Sequence, residues 1–227
     1  MTDFETQSQY EHQTQEQQFA ALNATTSLET LYKLLYSTQR PNGSVEQSLK
    51  DQGAVIRNST IHPPTSDLSS SLRIRPVDLA LAERGLDHFH AITEDYFHVP
   101  IPEVFNWNEV AELLGAEEEG DWYIVAFRSV RKVDADAKAL YDADHLAHTE
   151  ALESGGLLKY WYGSLNEKRE CLASCIWSSR DFARQATKKP YHLLAMSLAS
   201  RMYESYTLER WSLVKNKGET VFHLTQL

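Results

Sequence analysis

Residues 122–130 read WYIVAFRSV, and residues 134–154 read DADAKALYDADHLAHTEALES. The first run is almost wholly apolar or aromatic, as in a strand buried on both faces. The second brings Ala137, Leu140, Tyr141, Asp144, His148 and Ala151 or Leu152 near one side of a helix, and Gly155 and Gly156 end it. Further along, LLKYWYGSL (157–165) is a second strand, NEKRE (166–170) a turn and CLASCIWSS (171–179) a third strand. RDFARQATKKPYHLLAMSLASRMYES (180–205) is helical, with an interruption at Pro190. YTLERWSLV (206–214) is a fourth strand, KNKGE (215–219) a turn and TVFHLTQL (220–227) an edge strand. The order is β-α-β-β-α-β, an α+β ferredoxin-like unit whose antiparallel sheet carries both helices on one face.

The chain divides into three parts: an arm (1–70), an acidic helical extension (71–121) and the ferredoxin-like domain (122–227). The arm is rich in Gln, Ser, Thr and Asn and reads as largely disordered or extended. Within it, SLETLYKLLYSTQ can form a short helix with Leu28, Leu31, Leu34 and Leu35 on one side, and Ala54, Val55 and Ile56 can dock the arm. In the extension, Pro76 opens a helix with Asp78 in its first turn. The stretch VDLALAERGLDHFHAITEDYF (77–97) reads as one helix with one apolar face, and NWNEVAELLG as a second, capped by Gly115.

The net charge is −10 over 227 residues. Residues 78–121 hold twelve acidic residues against one arginine, a local charge of −11, whereas 122–227 hold fifteen basic and twelve acidic residues, or +3. No global positive field exists to collect phosphates, so nucleic acid is not an expected partner. No run of 18 apolar residues exists, so no membrane span is expected. The polar, acidic amino terminus lacks the pattern of a secretory signal. Cys171 and Cys175 lie on one strand, too far apart to bridge, and read as reduced, buried thiols. The expected location is the cytosol, with the nucleus as an alternative.

The strands carry bulky groups on both faces, so the face opposite the helices needs a cover. The first expectation is a second copy of the domain; the alternatives are the 71–121 region or the arm. Either cover leaves room for a concave, aromatic-lined space that suits a small organic ligand.

The run Trp122–Val214 resembles the dimeric α/β-barrel superfamily. LYDADHLAHTEALESGGLLKYWYG (140–163), with the run from Cys171 through Trp211, is similar to the fungal UPF0643 family. The similarity covers roughly residues 71–215. It implies a variable amino-terminal part joined to a shared carboxy-terminal domain. The superfamily contains cofactor-independent monooxygenases, haem-degrading enzymes, decarboxylases, cyclases and stress-response proteins, so fold alone does not fix a reaction.

Four residues are candidates for catalysis. Asp144 and His148 stand i,i+4 and can hydrogen-bond, orienting one imidazole as a base. Tyr160 and Tyr162 can offer hydroxyls, and Arg210 can stabilise an anion. Tyr123, Phe127, Trp161 and Trp177 are candidate ligand-binding walls. The competing readings are ordinary ones: a histidine packed at the sheet, an arginine in a salt bridge, aromatics forming core. His145 and His148, with Glu150, have only a weak metal pattern, and no metal is assigned. No phosphate loop, HExxH, GxSxG or CxxC occurs, so the cofactor is unknown and the expectation is none.

Two functions follow. One is a small-molecule enzyme or ligand-binding protein using a cavity on the open sheet face, with isomerase, cyclase or cofactor-independent oxygenase chemistry. The alternative is a non-catalytic, self-associating binding or stress-related protein.

Overall fold

The computed structural model describes residues 27–37 and 72–227. The rest of the arm, including 54–56, lies outside the described residues. A first helix, α1 (Leu28–Ser37), is followed by α2 (Pro76–Ala80), α3 (Ile101–Val104) and α4 (Trp107–Leu114). Next come β1 (Gly120–Arg131), α5 (Ala137–Ser154), β2 (Leu157–Tyr162) and β3 (Glu170–Trp177). The chain ends with α6 (Arg180–Ala186), α7 (Pro190–Met202), β4 (Tyr203–Lys215) and β5 (His223–Gln226). The sheet order is β2-β3-β1-β4-β5, with every neighbouring pair antiparallel. This is the ferredoxin-like arrangement with one added edge strand.

Local chemistry sets the boundaries. The Asp136 carboxylate accepts from the Ala139 N–H at 2.9 Å and starts α5. Ser179 caps α6 by accepting from Phe182 N–H. Pro190 sits in the first turn of α7, which separates it from α6. Gly156, at φ 77°, lets the chain turn from α5 into β2. A Cβ there would lie 2.2 Å from the Phe182 ring.

The 77–97 stretch is not one helix. After α2 comes a π-helical turn (Leu81–Gly85), then a short 3-10 turn (Leu86–His88), and Phe89 is extended. Gly85 brings its backbone against α4; a Cβ there would stand 2.9 Å from Val110 Cγ1. Phe89 then leaves the helical path and stacks on Phe105 at 4.4 Å between centroids, beside Trp107 at 5.0 Å. Burial of this aromatic cluster overrides the helical pattern.

Register assigns the two sheet faces. Trp122, Ile124, Ala126 and Arg128 look one way, with Leu172, Ser174, Ile176, Trp211 and Leu213. Leu81, Phe89, Ile101, Phe105, Trp107 and Val110 pack on that face in one buried cluster. The cover is therefore the 77–114 segment of the same chain. This corrects the expectation of a second copy on an open sheet face, because no such face remains open. Each fully buried side chain of this kind contributes about 1.5–3 kcal/mol, so the cluster dominates the docking.

Two arginines fasten the cover. Asp78 is wholly buried and accepts from Arg75 N–H at 2.7 Å, Arg75 Nη2 at 2.8 Å and the Trp122 indole N–H at 2.8 Å. Arg75 also donates to the Asp121 carboxylate and carbonyl. On β1, Arg128 pairs with Glu209 and donates to the carbonyls of Tyr96, Phe97 and Val99. Within the segment itself, Glu118 meets Arg84 at 2.6 Å.

The opposite face, bearing Tyr123, Val125, Phe127, Cys175 and Trp177, receives α5, α6 and α7. Leu31 and Leu35 of α1 pack outside that layer against Leu140, Leu194 and Leu198. No helix among the described residues is long and apolar enough to cross a membrane.

Removing the Asp78 carboxylate leaves the Trp122 indole N–H and the Arg75 backbone N–H without their acceptor, a combined loss of about 2–6 kcal/mol at about 1–3 kcal/mol for each stranded donor. Asp78→Ala should therefore lower the unfolding free energy in urea by that amount, while Asp121→Ala, exposed at the same cluster, should change it by less than about 1 kcal/mol. Equal effects of the two substitutions would contradict the clamp.

Candidate functional site

The cavity lies between the sheet and its own helices. It holds about 250 Å³, is partly open to solvent where Tyr206 and Leu208 are exposed, and is lined by residues of β1, β2, β3, β4, α5, α6 and α7. On α5, Leu140, Asp144, Ala147, His148 and Ala151 form the lining stripe, at the spacing of one helical face. On α7, His192, Ala195, Met196 and Ala199 do the same. Ala147, Ala151, Ala195 and Ala199 leave space between the helices and the sheet positions Val125 and Phe127.

The polar end of the cavity is built around Asp144. Its Oδ1 accepts the Tyr160 hydroxyl hydrogen at 2.8 Å. By accessible surface Asp144 is exposed, and its side chain borders the cavity. Protein atoms packed around its carboxyl push it above the usual range, against the opposing pull of the Tyr160 hydrogen bond. Burial and the neighbouring carboxylate push the Tyr160 phenol well above its ordinary value. The pair is thus a neutral phenol donating to a carboxylate of raised basicity.

His148 stacks at a tilt on Tyr160, with centroids 5.1 Å apart. Burial, helped by His145, lowers its pKa to about 4. Burial lowers His192 to about 4 as well. Nε2 of His148 and Nδ1 of His192 are buried with no hydrogen-bond partner among the described residues. The expected Asp144–His148 hydrogen bond is replaced, because the Tyr160 hydroxyl reaches Asp144 from the sheet.

The candidate residues divide by position. His148, Tyr160, Phe127 and Trp177 line the cavity. Tyr162 shares their face, its ring 5.6 Å from Tyr160, but stands exposed beyond the lining. The Tyr123 hydroxyl is engaged by Arg210 and Arg180, and neither Tyr123 nor Arg210 lines the cavity. Trp161 points to the opposite face, where it meets Phe105 at 4.9 Å and Tyr96 at 5.4 Å. Its place is under the cover, because strand alternation separates it from Tyr160.

Sequence reasoning treated Asp144 only as an accessory to His148 and passed over His192, Tyr203 and Tyr206. The i,i+4 continuation Leu140–Asp144–His148 is the signal that marks Asp144. His192 carries no comparable signal, since its position follows from the start of α7. There Glu150 of α5 accepts the N–H groups of Tyr191 and His192 at 3.0 and 3.1 Å. That carboxylate is the anchor of a helix start rather than a metal ligand. No group of three or more His, Cys, Asp or Glu residues among the described residues is placed to hold a metal ion. Burial pushes the cavity-lining Cys175 up to about 12 and Cys171 up to about 11, so neither thiol is a nucleophile at neutral pH.

A family model described as PB2B2.08-like matches residues 62–226. The UPF0643 protein PB2B2.08 of Schizosaccharomyces pombe is 30% identical over 137 residues, which span 54% of this chain and 62% of that protein. Among solved structures, Rv0793 from Mycobacterium tuberculosis shares 16% identity over 42% of this chain and 95% of its own, with a TM-score of 0.36. SnoaB, a cofactor-independent oxygenase from Streptomyces nogalater, shares 13% identity over 43% of this chain and 94% of its own, with a TM-score of 0.34. Likenesses of this degree carry no argument about chemistry.

The two histidines make stability depend on pH. Their ordinary value is 6.5 and their folded value about 4. Above pH 6.5 they are neutral in both states and contribute no pH dependence. As pH falls below 6.5 the unfolded chain takes up protons that the folded chain refuses, so stability declines until about pH 4. At about 1.4 kcal/mol per pKa unit, the full loss is roughly 3 kcal/mol for each. Urea midpoints measured from pH 7 to 4.5 should fall less steeply for H148Q/H192Q than for the unaltered protein; parallel curves would contradict neutral burial.

Proposed function

This chain belongs to the PB2B2.08-like family, and we propose that it binds a compact, aromatic small molecule between sheet and helices and transfers a proton on it. The observation that carries this reading is the Tyr160–Asp144 pair in the wall of a largely apolar cavity. Small-molecule sites commonly combine apolar walls with a few converging polar groups. The cavity's size, below the usual range of about 300–1,000 Å³, suits a ligand of one or two rings. A void between sheet and helices also forfeits packing on the scale of several kcal/mol, a loss that an occupant offsets.

Asp144 is the proton acceptor in this reading. Protein atoms packed around its carboxylate raise its basicity above the ordinary value, and basicity nearer neutrality favours proton transfer. Tyr160, a neutral donor, steadies the carboxylate before transfer and is free to turn to the ligand once Asp144 is protonated. His148 and His192 are uncharged at neutral pH and offer ring nitrogens without adding a cation. Phe127 and Trp177 hold the ring and exclude water. Proton removal is the step shared by isomerisation, cyclisation and cofactor-independent oxygenation of an acidic carbon, the finer reactions to which this reading extends.

Binding is tested with N-phenyl-1-naphthylamine, an uncharged dye. The protein should take up one equivalent with saturation, and A147F and A195F, which fill the cavity, should abolish it. Proton transfer is tested by NMR with 2-tetralone in D2O. The protein should speed deuterium incorporation beside the carbonyl, and D144N should lower that rate by about 10²-fold or more. Dye uptake unchanged in both filled variants would remove the cavity as the site. Exchange unaffected by D144N would remove Asp144 as the base.

A further inference from the structure

We infer that the cavity selects a protonated primary or secondary amine carried on a compact aromatic frame, with Asp144 as its counter-ion. The inference rests on the binding reading above and deepens it by naming the ligand's charge class. Among the described lining residues Asp144 is the single carboxylate, and no lysine or arginine lines the cavity. An ionised carboxylate presents about four acceptor positions. The Tyr160 hydroxyl is the one hydrogen-bond donor the described residues give it. A carboxylate that borders a largely apolar cavity and receives so few donors from the protein pairs best with a partner that brings both N–H groups and opposite charge.

The walls agree with that demand. Tyr160 and Trp177 flank the cavity, and at its β4 side Phe127 lies 5.7 Å from Tyr203 and 5.5 Å from Tyr206 between ring centroids. Aromatic faces carry negative potential and attract cations, most strongly where water is excluded. His148 and His192 carry no charge at neutral pH and so do not repel an ammonium group. An anion has the reverse experience: it meets the Asp144 carboxylate and finds no lining cation to offset the repulsion. An uncharged ligand can at most donate a neutral hydrogen bond to the carboxylate and brings no opposite charge. A quaternary ammonium keeps the ring attraction but has no N–H for Asp144, which restricts the class to amines that retain a proton.

The test uses calorimetry on the full chain at pH 7.4 with three ligands of one frame: naphthalen-2-ylmethanamine, naphthalen-2-ylmethanol and 2-naphthoate. The amine should bind at least about tenfold more tightly than the alcohol, and the carboxylate should show no measurable binding. In D144N the amine should fall to the level of the alcohol, while the alcohol stays within about threefold of its former affinity. Y160F, which keeps the carboxylate, should preserve the amine preference. Equal binding of all three ligands overturns the charge selection while leaving the cavity reading intact. Failure of all three to bind overturns both. An amine preference that survives in D144N overturns the role of Asp144. If D144N does not fold, the ligand series on the unaltered protein still decides the charge class.

Discussion

One buried carboxylate organises the molecule. Asp78 sits at the first turn of α2 with no exposure to water, and it is held by Arg75 and the Trp122 indole. A charge in that position is tolerable only because several donors converge on it. Those donors come from both sides of a joint: Arg75 from the lead into the cover, Trp122 from β1. The apolar cluster supplies most of the attraction, but it is non-directional. The carboxylate fixes where along the sheet the cover sits, and Arg128 does the same near the other end through the carbonyls of Tyr96, Phe97 and Val99.

The two sheet faces then take opposite roles. Under the cover, large aromatics interdigitate and even Ser174 is completely buried. Under the helices, alanines on α5 and α7 hold a gap open. A rigid, filled face supports a hollow one: β1 and β3 present side chains to both, so packing under the cover fixes the floor of the cavity. Glu150 extends this support by anchoring the start of α7 to α5, which places His192 through its backbone N–H.

The strand and helix order of the carboxy-terminal unit was legible because apolar runs and 3.6-residue periodicity each recur in turn from Trp122 to Val214. What covers the second face was not. A sheet face rich in aromatics demands burial, yet nothing local distinguishes a second copy from an earlier segment of the same chain. Asp78 could be read as a first-turn acid, but its burial depends on Trp122, 44 positions away. The 77–97 stretch shows tertiary packing overriding pattern at Phe89. In the cavity, Leu140, Asp144 and His148 follow a readable helical stripe. Trp161 could have been excluded by strand alternation alone, since a residue beside Tyr160 must face the other way. His192 required knowledge of how α7 docks, which no short motif encodes.

The source of the cover has a consequence for how the protein behaves on dilution. A sheet face buried by an identical partner is protected only while the partner is bound, so its protection depends on protein concentration. A face buried by a tethered segment keeps its cover at any concentration. A two-fold interface also imposes each substitution twice, once on each copy. Here the cover and the sheet beneath it are separate stretches of one chain, each free to change without altering the other.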